Sequence, residues 1–248
     1  MNTVMITGCS SGFGLETARL FVDRGWNVIA TMRQPVAGLL PDAVRVLPLD
    51  VRDEASLSAA VKAAGAVDVL VNNAGIGWLN AFEGTPMGVV RDIFETNTFG
   101  TMALTQAFLP QFREKGAGVI VNVTSSVTLL PLNLLAVYTA SKAAVNAFTE
   151  CLALEIAGFG LRTHVVLPGR APDTRFGENA RGLIMGAGGF HGAYGDQVEK
   201  VMASFAEPGA LITEAKDVAE AIWRAATDAG APLHLPAGAD AVALSVGR

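Results

Sequence analysis

A chain of 248 residues, 51% hydrophobic, 17% charged and 7% aromatic, is long enough to bury a full β-sheet in one domain spanning 1–248, with no sign of disorder. Its net charge of -5 comes without any basic run, which excludes the electrostatic footprint of a nucleic-acid or anionic-membrane partner. The amino terminus, MNTVMITGCSSG, lacks the pattern of a secretory signal and no stretch is apolar enough to span a bilayer, so a cytoplasmic protein is expected. Cys9 and Cys151 lie far apart and outside any metal-ligand spacing; buried, reduced thiols and no metal site are expected.

Apolar, β-branched runs alternate with helical patterns along the chain. TVMIT (3–7), NVIATM (27–32), VRVLPLD (44–50), DVLVNNAG (68–75), GVIVNVTS (118–125) and RTHVVLPG (162–169) read as strands, and PLHLPAG near the carboxy terminus can add a seventh. Near-continuous apolar strands separated by helices predict an α/β fold of Rossmann type, a doubly wound parallel sheet covered by helices on both faces.

Such sheets bind ligands at the carboxyl ends of their strands. After the first strand comes TGCSSGFG, whose Gly8, Gly12 and Gly14 open a helix beginning around Leu15. Glycines let the backbone approach a pyrophosphate, and the helix amino terminus offers it unpaired N–H groups. A site for the free ribose of NAD usually carries a carboxylate about 20 residues beyond that turn, whereas NADP sites place a cation there. No acidic residue occurs from Arg24 through Pro41, and Arg33 follows the second strand. Arginine grips phosphate in a planar fork, so NADP(H) is expected over NAD(H).

Farther on, AVYTASKAAV puts Tyr138 and Lys142 one turn apart on a helix predicted from about Leu134 to Ile156. Lys142 is the only charge before Glu150, so the helix should be largely covered and its cation partly desolvated. A phenol's ordinary pKa of about 10 is too high for efficient proton transfer near neutrality, and a neighbouring ammonium should lower it. The pair is therefore a candidate general acid and base.

Together these motifs resemble the short-chain dehydrogenases/reductases over nearly the whole chain: the Thr-Gly-x-x-x-Gly-x-Gly loop in TGCSSGFG, Asn-Asn-Ala-Gly at 72–75, and Tyr-x-x-x-Lys at 138 and 142. The resemblance implies a catalytic serine thirteen residues before the tyrosine, at Ser125, and a catalytic asparagine at Asn97 within a long preceding helix. Ser125 would hold the substrate oxygen, Tyr138 would exchange its proton, Lys142 would also bond the nicotinamide ribose, and Asn97 would support a proton-relaying water. For the cofactor it implies the loop Gly8, Ser10, Ser11, Gly12, Phe13 and Gly14; Asp50 and Val51 around the adenine; Asn73, Ala74 and Gly75 beside the adenine ribose; and Pro168, Gly169 and Thr174 near the nicotinamide. The threonine falls about one residue later than usual, and Arg170, Pro172 and Asp173 depart from the family pattern.

The reaction implied is hydride transfer between NADP(H) and a small-molecule carbonyl or alcohol. Alternatives are an NAD-linked alcohol or dihydrodiol dehydrogenase, a non-catalytic NADP(H) sensor, and a lyase like the halohydrin dehalogenases; the intact glycine loop and the full set of catalytic residues speak against the last two. The Gly-rich span from Arg170 to Pro208 reads as a mobile lid. Its Phe176, Met185, Phe190, Tyr194, Met202 and Phe205, with Trp78 and the leucines of LLPLNLL, can line a pocket for an apolar, fairly bulky substrate. His191 reads as a loop residue. Ala136, Ala140, Ala143, Ala144 and Ala147 keep the sides of the Tyr138 helix small, as for a helix between its sheet and a second helix layer, and the family resemblance implies that this layer is another subunit, so a homodimer or homotetramer is expected.

Overall fold

The structure, a computed structural model, describes residues 1–205, 207 and 209–246. Seven strands, β1 (Thr3–Ile6), β2 (Asn27–Met32), β3 (Arg45–Pro48), β4 (Val69–Asn72), β5 (Gly118–Val123), β6 (Leu161–Pro168) and β7 (His234–Ala237), form one sheet in the order β3-β2-β1-β4-β5-β6-β7. Every neighbouring pair is parallel, with Val4 opposite Val28 on one side and Val69 on the other. The order reverses between β1 and β4, which opens a crevice at the carboxyl edge there.

The helices are α1 (Gly12–Asp23), α2 (Glu54–Ala64), α3 (Met87–Phe94), α4 (Gly100–Lys115), α5 (Ala136–Ile156), α6 (Phe176–Gly186), α7 (Gly195–Phe205), α8 (Ala215–Thr227) and α9 (Ala239–Val246). Successive strand residues point to opposite faces. Val4, Ile6, Val69, Val71, Val119 and Val121 therefore pack with α1 and α8, while Met5, Leu70 and Ile120 pack with α2, α4 and α5. Both sets are apolar because both faces are covered, and this is what makes the strands read as continuous hydrophobic runs. Phe21, Trp26 and Trp223 close the first layer with mutual edge contacts, their ring centroids 5.0–5.7 Å apart.

Four polar side chains inside the second layer are paired with one another. Asn72 donates to Asn122 Oδ1 at 2.9 Å and Thr105 Oγ1 at 3.0 Å, and Asn122 donates to Thr149 Oγ1 at 2.8 Å. This chain pins β4 and β5 to α4 and α5, and truncating one member would strand a buried partner.

The differences from the sequence expectation cluster at the carboxyl edge. The strands predicted to end at Asp50, Gly75 and Ser125 stop two or three residues earlier, and the residues left over form loops. Helix α1 starts at Gly12, before Leu15, and α5 starts at Ala136, after Leu134. Leu134 has φ 63°, a left-handed conformation disfavoured for a side chain with a Cβ. Its carbonyl accepts from Asn80 N at 2.9 Å, which fixes the approach to α5. Asn97 lies in a π-helical turn, Glu95–Phe99, that joins α3 to α4. The Gly-rich span holds α6 and α7; Pro208, its expected end, lies outside the described residues. Cys9 is buried, its thiol pushed up to about 12 by desolvation, but Cys151 is exposed, contrary to expectation. No helix among the described residues is long and apolar enough to cross a membrane, and no group of three or more His, Cys, Asp or Glu among them could hold a metal ion.

Candidate active site

The crevice is built on Thr7, at the end of β1. Its Oγ1 accepts the N–H groups of Asn73 and Ala74, both at 2.9 Å, while the Asn73 side-chain amide donates to Thr7 O at 2.8 Å. The loops after β1 and β4 are thereby locked together. Gly8 takes φ +74°, and a Cβ there would come within 2.9 Å of Ala74 Cα. A Cβ on Gly14 would fall onto Gly8 O and within 2.6 Å of Asn73 Nδ2. Ser11 precedes α1 without capping it, and no acid occupies the first turn of that helix. The first N–H groups of α1 thus face a side-chain-free cradle with no competing carboxylate, which fits a dinucleotide pyrophosphate. Ser10 is exposed beside it, whereas the Phe13 side chain packs into the α1/α8 layer and leaves only its backbone to the cradle.

Arg33 is exposed just beyond β2, and Asp50 is half-buried just beyond β3. Asp50 is held to about 2, chiefly by its hydrogen bond with Arg52. Val51 packs against Gly100, where a Cβ would come within 2.7 Å of the Val51 side chain.

Four polar side chains converge at the ends of β4 and β5. Asn97, 1% exposed, accepts from Ile76 N at 2.8 Å and donates to Ile76 O at 2.9 Å and Ser141 Oγ at 3.1 Å. A Cβ on Gly75 would sit 3.2 Å from Asn97 Oδ1 and 3.3 Å from Lys142 Nζ, so both groups close on that glycine. Lys142 is buried and donates to Val123 O at 3.0 Å; desolvation lowers its pKa to about 8. Ser125 follows β5, and its Oγ accepts from Val127 N at 3.3 Å.

Tyr138 is buried, and desolvation raises its pKa to about 12 against a smaller lowering by its hydrogen bond to Ser125. The expected lowering by Lys142 is not seen: burial dominates, and the ammonium's hydrogen bond goes to the β5 backbone. At neutral pH the phenol is therefore protonated.

An apolar wall faces these groups. Trp78, Leu79, Ile93, Leu134, Val137 and Ile184 form one cluster with the Tyr138 ring, and Phe190 and Tyr194 pack against it. The Phe176 ring lies 5.8 Å from that of Tyr138, on a seat made by Gly77, where a Cβ would come within 2.7 Å of the Phe176 ring. Met185, Met202, Phe205 and Leu132 are exposed and are not part of this cluster. His191 packs beside Gly84, and its Nδ1 is buried without a partner among the described residues.

Pro168 ends β6, and Gly169 N donates to Thr213 Oγ1 at 2.9 Å. Thr174 lies over the cradle: a Cβ on Gly12 would be 3.4 Å from its Cβ. Arg170 spans two elements. Its backbone N donates to Asp240 Oδ2 at 2.6 Å, while its guanidinium donates to the carbonyls of Ser204 and Phe205 at 3.2 and 2.7 Å, at the end of α7.

Ser141, Arg52, Thr213 and Asp240 are site neighbours that sequence reasoning missed. Ser141 offered a signal, lying three residues beyond Tyr138 and so on the same helix face. Thr213 and Asp240 offered none, because they reach the site from distant parts of the chain, Thr213 from the loop before α8 and Asp240 from the first turn of α9.

A model of the short chain dehydrogenase family matches residues 2–181, and the chain belongs to that family. It is 34% identical over 236 residues to the uncharacterized oxidoreductase YusZ of Bacillus subtilis, covering 90% of this chain and 84% of that one. It is 38% identical over 181 residues to retinol dehydrogenase 8 of Bos taurus, covering 67% of this chain and 58% of that relative's length. A crystal structure of a short-chain dehydrogenase from Streptomyces avermitilis superimposes with a TM-score of 0.84 at 33% identity, covering 99% of this chain and 91% of that one. The chain is thus an oxidoreductase of a family that acts on CH–OH groups.

Proposed function

We propose that the protein is an NADP(H)-dependent reductase of apolar, fairly bulky ketones, able to oxidise the matching secondary alcohols. The observation that carries this reading is the convergence of Ser125, Tyr138, Lys142 and Asn97 beside an apolar wall, at the mouth of a glycine cradle. A bound nicotinamide supplies or takes the hydride. Tyr138, protonated at neutral pH, donates its proton to the carbonyl oxygen. Ser125, its hydrogen-bonding neighbour, steadies the same oxygen as negative charge develops.

Lys142, with its pKa near 8, stays mostly cationic at neutral pH and is held against Val123 O. The reading gives its remaining donors to the nicotinamide ribose. Asn97 fixes the loop at Ile76 and, through Ser141, the backbone of Tyr138, since Ser141 Oγ donates to Tyr138 O at 2.7 Å. It takes its place beside Lys142 as the support for proton resupply.

For the cofactor, the reading assigns the phosphates to the Gly8–Gly14 loop with Ser10 and Ser11, the adenine to Asp50 and Val51, its ribose to the 73–75 backbone, and the nicotinamide to Pro168, Gly169 and Thr174. Arg33 takes the 2'-phosphate, supported by its exposure and by the absence of any acidic residue between Arg24 and Pro41. The span from Arg170 onward acts as a lid, with Phe176 and Ile184 over Tyr138. An apolar substrate suits this wall, as it suits a relative named for retinol. Exposed Phe99 and Leu154, together with the small residues of α5, support a homodimer or homotetramer.

The test follows NADPH consumption over a panel of aryl and alkyl ketones by the parent and by Tyr138→Phe. Turnover in the parent and its fall by about 10²-fold or more in the variant are expected for a lost proton donor. Equal turnover in both would refute the role of Tyr138.

A further inference from the structure

Arg52 stands two residues beyond Asp50 and gives that carboxylate three donors. Its backbone N–H and Nε reach Oδ1 at 3.1 and 3.0 Å, and its Nη2 reaches Oδ2 at 2.7 Å. Asp50 sits at the end of β3, beside the end of β2 that carries Arg33, since Met32 pairs with Pro48. Arg33 is close enough to act electrostatically on Asp50, yet among the described residues it makes no hydrogen bond or ion pair. Asp92 is the other anion whose field reaches Arg52.

The corner therefore brings two cations near one carboxylate, with the carboxylate committed to Arg52. Without Arg52, Asp50 would be an unpaired anion beside Arg33. It would draw Arg33 toward itself and cancel its charge. With Arg52 in place, a planar fork satisfies the carboxylate and Arg33 stays uncommitted.

We propose that Arg52 is a second determinant of cofactor choice: by occupying Asp50 it keeps Arg33 free for the 2'-phosphate of NADP(H). The inference rests on the NADP(H) reading above. It makes discrimination a property of three residues on two strand ends, with Arg52 acting as a positioning residue through Asp50 and Arg33.

The experiment is a fluorescence titration of NADPH and NADH into the full chain and its Arg52→Ala, Arg52→Gln, Arg33→Ala and Arg33→Ala/Arg52→Ala variants, with circular dichroism to confirm folding. In Arg52→Ala the NADPH dissociation constant should rise about fivefold, as for a partly exposed charge pair, while that of NADH changes by less than about twofold. Arg52→Gln should follow Arg52→Ala, since it also lacks the cation. In the Arg33→Ala background, removing Arg52 should change NADPH binding little, because the residue it acts through has gone.

Equal weakening of NADPH and NADH by Arg33→Ala would refute the NADP(H) reading, and this inference with it. A selective loss of NADPH in Arg33→Ala, but unchanged or equally weakened binding of the two nucleotides in Arg52→Ala, would overturn the role of Arg52 alone.

Discussion

Lys142 should destabilise the fold that it serves. Its ammonium is buried among α5, β5 and the 75–77 loop and has Val123 O as its hydrogen-bond partner. Holding a lysine at about 8 in place of its ordinary 10.5 corresponds to about 3 kcal/mol in favour of the unfolded chain while the group is charged. Losing the bond to Val123 O costs about 1 kcal/mol in return. Lys142→Met, an apolar chain of similar length, should therefore raise the unfolding free energy of the nucleotide-free protein by about 2 kcal/mol at pH 7 while abolishing turnover.

The pH dependence has a definite sign. Because the folded pKa is depressed, the unfolded chain binds more protons between about pH 8 and 10.5, and the wild type gains stability over that range. The cost is fully present below pH 8. Urea denaturation of both proteins from pH 7 to pH 9.5 should show the advantage of Lys142→Met shrinking as pH rises. The comparison stops short of pH 10, above which an unfolded tyrosine ionises while Tyr138, held near 12, does not. A wild type as stable as the variant at pH 7, or a gap that does not vary with pH, would refute the reasoning.

Two glycines offer further tests. Gly14→Ala forces a Cβ against Gly8 O and Asn73 Nδ2, which are backbone and anchored amide with little freedom to yield. Denaturation should show a loss of about 2 kcal/mol, and the NADPH dissociation constant should rise by more than about tenfold as the cradle spreads. Gly77→Ala meets the edge of the Phe176 ring, which is 40% exposed and can move, so a stability loss of only about 1 kcal/mol is expected. Its KM values over the ketone panel should shift in the same direction as those of Phe176→Ala, since one variant displaces the ring and the other removes it. Opposite shifts would disconnect that ring from substrate choice.

The sequence determined much of this architecture because its signals are local. Alternating faces are both apolar in Val4–Ile6, Val69–Val71 and Val119–Val121, so a parallel sheet covered on both sides follows from composition and turn residues alone. Tyr138 and Lys142 share one helix face by spacing, and Gly8, Gly12 and Gly14 mark the cradle because no side chain fits there. Only the tertiary structure decided what surrounds these groups. The pKa of Tyr138 depends on the balance between burial and a cation, and the cation's hydrogen bond to Val123 O is made across the sheet edge. The partners of Arg170 lie 34 or more residues away, at Ser204, Phe205 and Asp240, and those contacts form only when α7 and α9 dock. Solvent exposure follows the same rule. The sequence leads to the same expectation of burial for Cys9 and Cys151, and the packing of the helices leaves one buried and the other exposed.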